Sequence, residues 1–246
     1  MLFLDTILNP LLQLPVLWVV IIISLVISVI ITIVYKLMTN QDLMKQLKDE
    51  LKEFQKETKE LKAHPEKMME VQKKAMQTNM KYMSHSMRST LVTFVPIILL
   101  FGWMNANIAY DPILPGQEFT TTATFAANTA GTISLDVPEG ISMDGNSTKQ
   151  IEDGEVVWVL KGNEGEYLLE YAFNNEKYSQ EVLITGLQAY KPIITKIKES
   201  KLKTLEINNK PKKVMDLGFW KVGWLGAYII FSIIFSMLLR KVLKVY

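Results

Sequence analysis

Three uncharged stretches govern what this chain can become. Residues 16–34, 90–109 and 222–239 run for 19, 20 and 18 positions without a single Asp, Glu, Lys or Arg. About 20 apolar residues in a helix cross roughly 30 Å of hydrocarbon. A core helix of this length in a water-soluble protein would carry a charged stripe, and none of the three does. The chain is therefore expected to be a membrane α-helical protein with three transmembrane helices. The first stretch is preceded by Asp5 and by no Lys or Arg, and it ends at Tyr35-Lys36 rather than at small residues. It lacks the features of a cleaved signal peptide and is expected to persist.

Flanking charge sets the expected direction. Residues 36–89 hold 12 Lys and Arg against 8 acids, and Arg240, Lys241 and Lys244 follow the third stretch. Lys and Arg are retained on the cytoplasmic side, so the 36–89 loop and the C-terminus are expected inside and the N-terminus outside, in the plasma membrane. Residues 110–190, with 13 acids and 3 basic side chains, agree with an outer position. Residues 191–221 carry nine Lys and three acids, but long loops translocate largely regardless of charge. The expected organisation is an outer N-terminal segment and first span (1–35), a cytoplasmic hairpin (36–89), a second span (90–109), and an extracytoplasmic β-rich domain (110–190). A basic linker (191–219) and the third span with a short cytoplasmic tail (220–246) complete it.

The hairpin shows coiled-coil spacing. Met44, Leu47, Leu51, Phe54, Thr58 and Leu61 recur at intervals of 3 and 4 among charged residues. His64-Pro65 breaks the pattern and suits the first turn of a second helix. That return arm puts Met69, Met76, Met80, Met83 and Met87 on one face. Flexible thioethers either fill gaps in a short coiled coil or form an adaptable surface for varied apolar clients. Between 118 and 185 the pattern turns to short Thr-, Val-, Tyr- and Phe-rich segments (118–125, 132–137, 155–160, 166–173, 177–185). Gly, Asn, Asp and Pro clusters separate them, which predicts a small β-sandwich with Trp158 in its core. Asn146-Ser147-Thr148 matches the glycosylation acceptor pattern in a turn.

Catalytic chemistry finds no footing. With no Cys and only His64 and His85, neither a metal centre, a cysteine nucleophile nor a His-based triad is expected. No phosphate-binding loop or nucleophile elbow occurs, so neither enzyme activity nor a cofactor is expected. A net charge of +2 gives no reason to expect DNA binding.

The polar residues of the spans are patterned. Ser24, Ser28 and Thr32 share one helix face, as do Tyr228, Ser232 and Ser236, with Lys221 a further step along; Thr93 sits at the inner end of the second span. Small hydroxyls allow close helix packing. The alternative is a wet groove, open to the cytoplasm, where a polar segment pauses while crossing.

Three spans, a charged hairpin after the first, a Met-rich return arm and the opening Leu14-Pro15-Val16-Leu17-Trp18-Val19-Val20 together resemble the YidC insertase superfamily, which includes the mitochondrial oxidase-assembly insertases. The archaeal branch related to the third subunit of the ER membrane complex is the nearest look-alike. The resemblance covers residues 1–109 and 217–246 and leaves the β-rich insert outside. It implies an insertase or chaperone that passes client transmembrane segments through a hydrophilic groove without nucleotide hydrolysis. Its partners would be nascent membrane proteins, the bilayer, a ribosome or nascent-chain complex at the basic hairpin, and further membrane subunits. Bacterial relatives carry a groove Arg from their first conserved span. Here no span has an internal basic residue, and Lys221 is the nearest cation. From the residues alone, a receptor or adaptor with an outer ligand-binding sandwich and an inward-signalling hairpin is the other class to weigh.

Overall fold

The computed structural model describes residues 2–245 and divides the chain into two units. Among the described residues, one contains Leu17–Phe101 and 225–245; the other contains 2–16 and Gly102–Trp224.

The helical unit is built on three helices long and apolar enough to cross a membrane. A short helix α1 (Leu2–Leu8) and a 3-10 turn (Asn9–Gln13) precede the first of them. Leu14 is held extended before Pro15, as the proline ring requires of its predecessor, so α2 starts cleanly at Val16 and runs to Met38. Thr39 Oγ1 donates back to the Tyr35 carbonyl at 2.6 Å, and Asn40 Oδ1 accepts from the Asp42 and Leu43 amides at 3.1 Å each. These bonds satisfy exposed ends of two successive helices and turn the chain into α3 (Gln41–Glu60). On α3, Met44 and Leu47 are buried and Leu51, Phe54, Thr58 and Leu61 half-buried, which follows the 3-and-4 spacing.

Past a 3-10 turn at Leu61–Ala63, α4 runs unbroken from Pro65 to Asn107. Its 43 residues make about 65 Å of helix, so the return arm and the second span are one continuous helix rather than two pieces meeting at residue 90. The covered face of the arm is Met68, Val71, Ala75, Thr78 and Tyr82. The Met stripe faces elsewhere. The third long helix, α5, runs from Trp224 to Val242.

The second unit is dominated by strands. Five arise where expected: β1 (Glu118–Phe125), β2 (Thr132–Asp136), β5 (Glu155–Gly162), β6 (Gly165–Phe173) and β7 (Glu176–Ile184). Two short ones intervene, β3 (Ile141–Asp144) and β4 (Thr148–Gln150). The stretch expected to be a basic linker, 191–219, holds β8 (Ile194–Lys196), β9 (Leu202–Ile207) and β10 (Lys213–Asp216). The linker reading is corrected accordingly, because Leu202, Leu205 and Ile207 are buried core and β9 pairs directly with β1. One sheet has the order β3-β5-β1-β9-β8 and another β4-β2-β6-β7, all antiparallel. A single apolar cluster draws on both. Across it Trp158 meets Tyr171 edge-on at 5.9 Å, Phe125 meets Phe173 at 5.1 Å, and the Thr121 and Tyr171 hydroxyls share a hydrogen bond of 2.6 Å.

The third span also starts later than expected. Lys221–Gly223 form β11, with Val222 opposite Met215 of β10, and the helix begins only at Trp224. Lys221 is therefore not on the helical stripe of Tyr228, Ser232 and Ser236.

Where α4 ends, the loop after β7 closes its last turn. The Tyr190 hydroxyl donates to the Asn105 carbonyl at 2.6 Å and accepts from the Ala109 amide at 2.8 Å, while Gln188 Nε2 donates to the Asn107 and Tyr110 carbonyls. Terminal carbonyls that have no helical partner are thereby satisfied. Burial pushes the Tyr190 hydroxyl up to about 12, keeping it a neutral donor.

Candidate functional site

Within the helical unit a cleft of about 400 Å³ opens between α2, α4 and α5. Ile31 and Tyr35 line it from α2, Tyr82, Ser86, Ser89, Thr90, Thr93 and Ile97 from α4, and Arg240 from α5. Helical spacing explains the α4 wall. Positions 82, 86, 89, 93 and 97 succeed one another at steps of 3 and 4, so the face covered along the hairpin becomes hydroxyl-rich as it nears the apolar segment. Ser86 donates to the Tyr82 carbonyl at 3.1 Å, Ser89 to Ser86 at 2.8 Å, Thr90 to Ser86 at 3.1 Å and Thr93 to Thr90 at 3.0 Å. Each hydroxyl spends its one proton on its own helix and keeps oxygen acceptor capacity.

Arg240 supplies the complementary chemistry. Its guanidinium lies 4.9 Å above the Tyr35 ring, a cation–π arrangement. The Tyr35 hydroxyl is buried beside Tyr82 and Arg240. Acceptor oxygens and a guanidinium in one cleft can take up peptide N–H and C=O groups or a carboxylate inside otherwise apolar surroundings. Lys221, the nearest cation in the sequence reading, is exposed on β11, and Arg240 is the cation in the cleft.

Of the seven hydroxyls expected in a groove, Thr93 lines the cleft and six lie outside its lining. Ser24, Ser28 and Thr32 are buried; Ser24 donates to Val20 at 2.7 Å and Thr32 to Ser28 at 2.6 Å. Ser28 reaches the Ser232 carbonyl of α5 at 3.5 Å, while Ser232 itself donates to Ile229 at 3.0 Å. Tyr228 packs edge-on against Phe101 at 4.8 Å, and Ser236 is half-buried. Tyr35, Tyr82, Ser86, Ser89, Thr90 and Arg240 were missed. The signal for the α4 residues is the recurrence of hydroxyls from Tyr82 to Thr93, which crosses from the charged arm into the apolar segment of one continuous helix.

Met69, Met76, Met80, Met83 and Met87 are all more than half exposed, at 67%, 60%, 65%, 54% and 56%. The same face continues with exposed Leu91, Phe94 and Ile98 into the membrane-length part of α4. Asn146 is exposed in the turn between β3 and β4. Among the described residues, no group of His, Cys, Asp or Glu gathers as a metal site.

Three membrane-length helices, one of them carrying an exposed apolar stripe beside a hydroxyl-lined cleft, and a separate β-sheet unit define a multi-pass membrane-embedded protein. The sequence pattern of the family described as integral membrane protein EMC3/TMCO1-like matches residues 2–136. The chain belongs to that family, within the YidC/Oxa1/Alb3 insertase superfamily. The match spans α1 to α4, β1 and β2 and stops before α5. No curated protein and no solved structure matches the chain.

Proposed function

We propose that this protein inserts transmembrane segments of nascent membrane proteins into the bilayer without nucleotide hydrolysis. Family membership supports an insertase-related role. The observation that carries the mechanism is the pairing, on α4, of an exposed stripe from Met69 to Ile98 with a hydroxyl-lined cleft. An apolar client segment rides the stripe, whose flexible Met side chains conform to varied sequences. Its polar flank enters the cleft. Crossing bare hydrocarbon costs several kcal/mol for each unsatisfied backbone group. Ser86, Ser89, Thr90 and Thr93 offer partners along part of that path, and Arg240 favours flanks bearing carboxylates. Burial of the client's apolar segment drives the step. In this reading Ser24, Ser28, Thr32, Tyr228, Ser232 and Ser236 form the packed wall behind the cleft.

The same reading sets the architecture in the membrane. The α3–α4 hairpin is a cytoplasmic coiled coil whose basic residues receive a ribosome or nascent-chain complex. The two sheets form an extracytoplasmic β-sandwich, Asn146 is open to glycosylation, and the N-terminus lies outside the plasma membrane. Since the chain has no Cys, single introduced cysteines report cleanly. Lys56→Cys is expected to resist an impermeant thiol reagent in intact cells and Asn163→Cys to label fully. Labelling at position 56 would overturn the orientation.

Photo-crosslinkers test client contact. Placed at Met76, Met80 or Met83, they are expected to capture a stalled nascent transmembrane segment several-fold more efficiently than at Lys59 or Glu60. Equal capture at both sets, or capture only of α3, removes the stripe from the mechanism.

A further inference from the structure

We infer that the β10–β11 hairpin is an interfacial anchor, with Leu217, Phe219 and Trp220 seated at the headgroup–acyl boundary of the bilayer that α5 crosses. The hairpin pairs Asp216 with Lys221 and Met215 with Val222, and its turn is built rather than loose. The Leu217 amide donates to the Trp220 carbonyl at 3.0 Å, and Asp216 Oδ1 accepts from the Gly218 amide at 2.8 Å. Gly218 takes φ +82°, a conformation that glycine adopts without a steric penalty. Turn tips facing water are usually polar. This one presents Leu217, Phe219 and Trp220 at 41%, 89% and 53% exposure.

Two further observations name the occupant. Only Lys221–Gly223 separate Trp220 from Trp224, the first residue of α5, so the extended chain keeps the tip within about 14 Å of the span. That distance reaches the interfacial layer, which extends several Å beyond the hydrocarbon on each side. Charge fits as well: Lys210, Lys213 and Lys221 are exposed on or beside the hairpin, with Asp216 its one acid. Aromatic tips ringed by lysine suit a surface with an apolar side and anionic headgroups. The anchor also has a task. With 19 residues α5 is about 28 Å long, at the short end for a spanning helix, and a fixed interfacial contact at its start sets its depth.

Phe219→Cys carrying an environment-sensitive NBD probe tests this in the full-length protein. The vesicles are phosphatidylcholine with a minority of phosphatidylglycerol, with and without lipid bearing a doxyl quencher high on the acyl chain. Trp220→Cys provides a second reporter and Asn163→Cys the comparison. Blue-shifted emission at 219 and 220, quenched several-fold more strongly by doxyl lipid than at 163, is the expected result. Water-like emission with free access to iodide overturns the inference. So does blue-shifted emission without doxyl quenching, because protein rather than lipid then covers the tip.

Discussion

Trp158→Ala is expected to cost the β-sheet unit about 3–5 kcal/mol. Trp158 has no solvent exposure, meets Tyr171 edge-on, and donates its indole N–H to the Ser147 carbonyl at 3.1 Å. Truncation opens a cavity between the sheets and leaves that carbonyl with only the Leu135 amide at 3.0 Å. A domain of this size holds roughly 5–15 kcal/mol in total, so the loss takes a large share of it. Val157 sits next door on β5 and is 42% exposed, and Val157→Ala is expected to change stability by about 0.5 kcal/mol or less. Urea unfolding of the full-length protein in detergent, read by near-ultraviolet circular dichroism, compares the two. Equal losses would remove Trp158 from the centre of the core.

Much of this fold could be read because its periodicities are long and clean. The 23 residues of α2 carry one charge, Lys36, in the last turn, and β1 and β5 alternate buried and open positions along eight residues each. β9 escaped for a physical reason. Its register slips where it meets Thr124 and Phe125, with Thr204 opposite Thr124 and Leu202 opposite Phe125, so Lys203 is an extra residue. The buried positions therefore fall at 202, 205 and 207 rather than on alternate residues, and the surrounding lysines hid them. Val222 reads equally well as helix or strand, because an apolar run looks the same in both; its pairing with Met215 makes it strand.

The candidate site divides in the same way. The Met stripe was legible because it belongs to one helix and keeps one period. The cleft was not, since Tyr35, Ser86 and Arg240 come together from three helices and only packing reveals it. Ser24 and Thr32 share a face of α2 that lies outside the cleft's lining, which the pattern of one helix does not reveal.

The cleft carries the largest functional prediction. Replacing Ser86, Ser89, Thr90 and Thr93 by Ala or Val, together with Arg240→Met, is expected to slow client insertion at least about 10-fold, which corresponds to roughly 1.4 kcal/mol on the barrier. The helices are expected to persist, because the lost hydroxyl bonds all run to carbonyls of the preceding turn of α4 and none ties α4 to another helix. A second variant, Ser24→Ala with Ser28→Ala and Ser232→Ala, alters the packed wall and is expected to leave the rate nearly unchanged. The deciding measurement reconstitutes wild-type and both variants in liposomes and follows the protease-protected fragment of a client with an acidic flank. The account predicts a slow cleft variant beside a near-normal wall variant, with matched thermal stability. A folded cleft variant that inserts its client at the wild-type rate would contradict it.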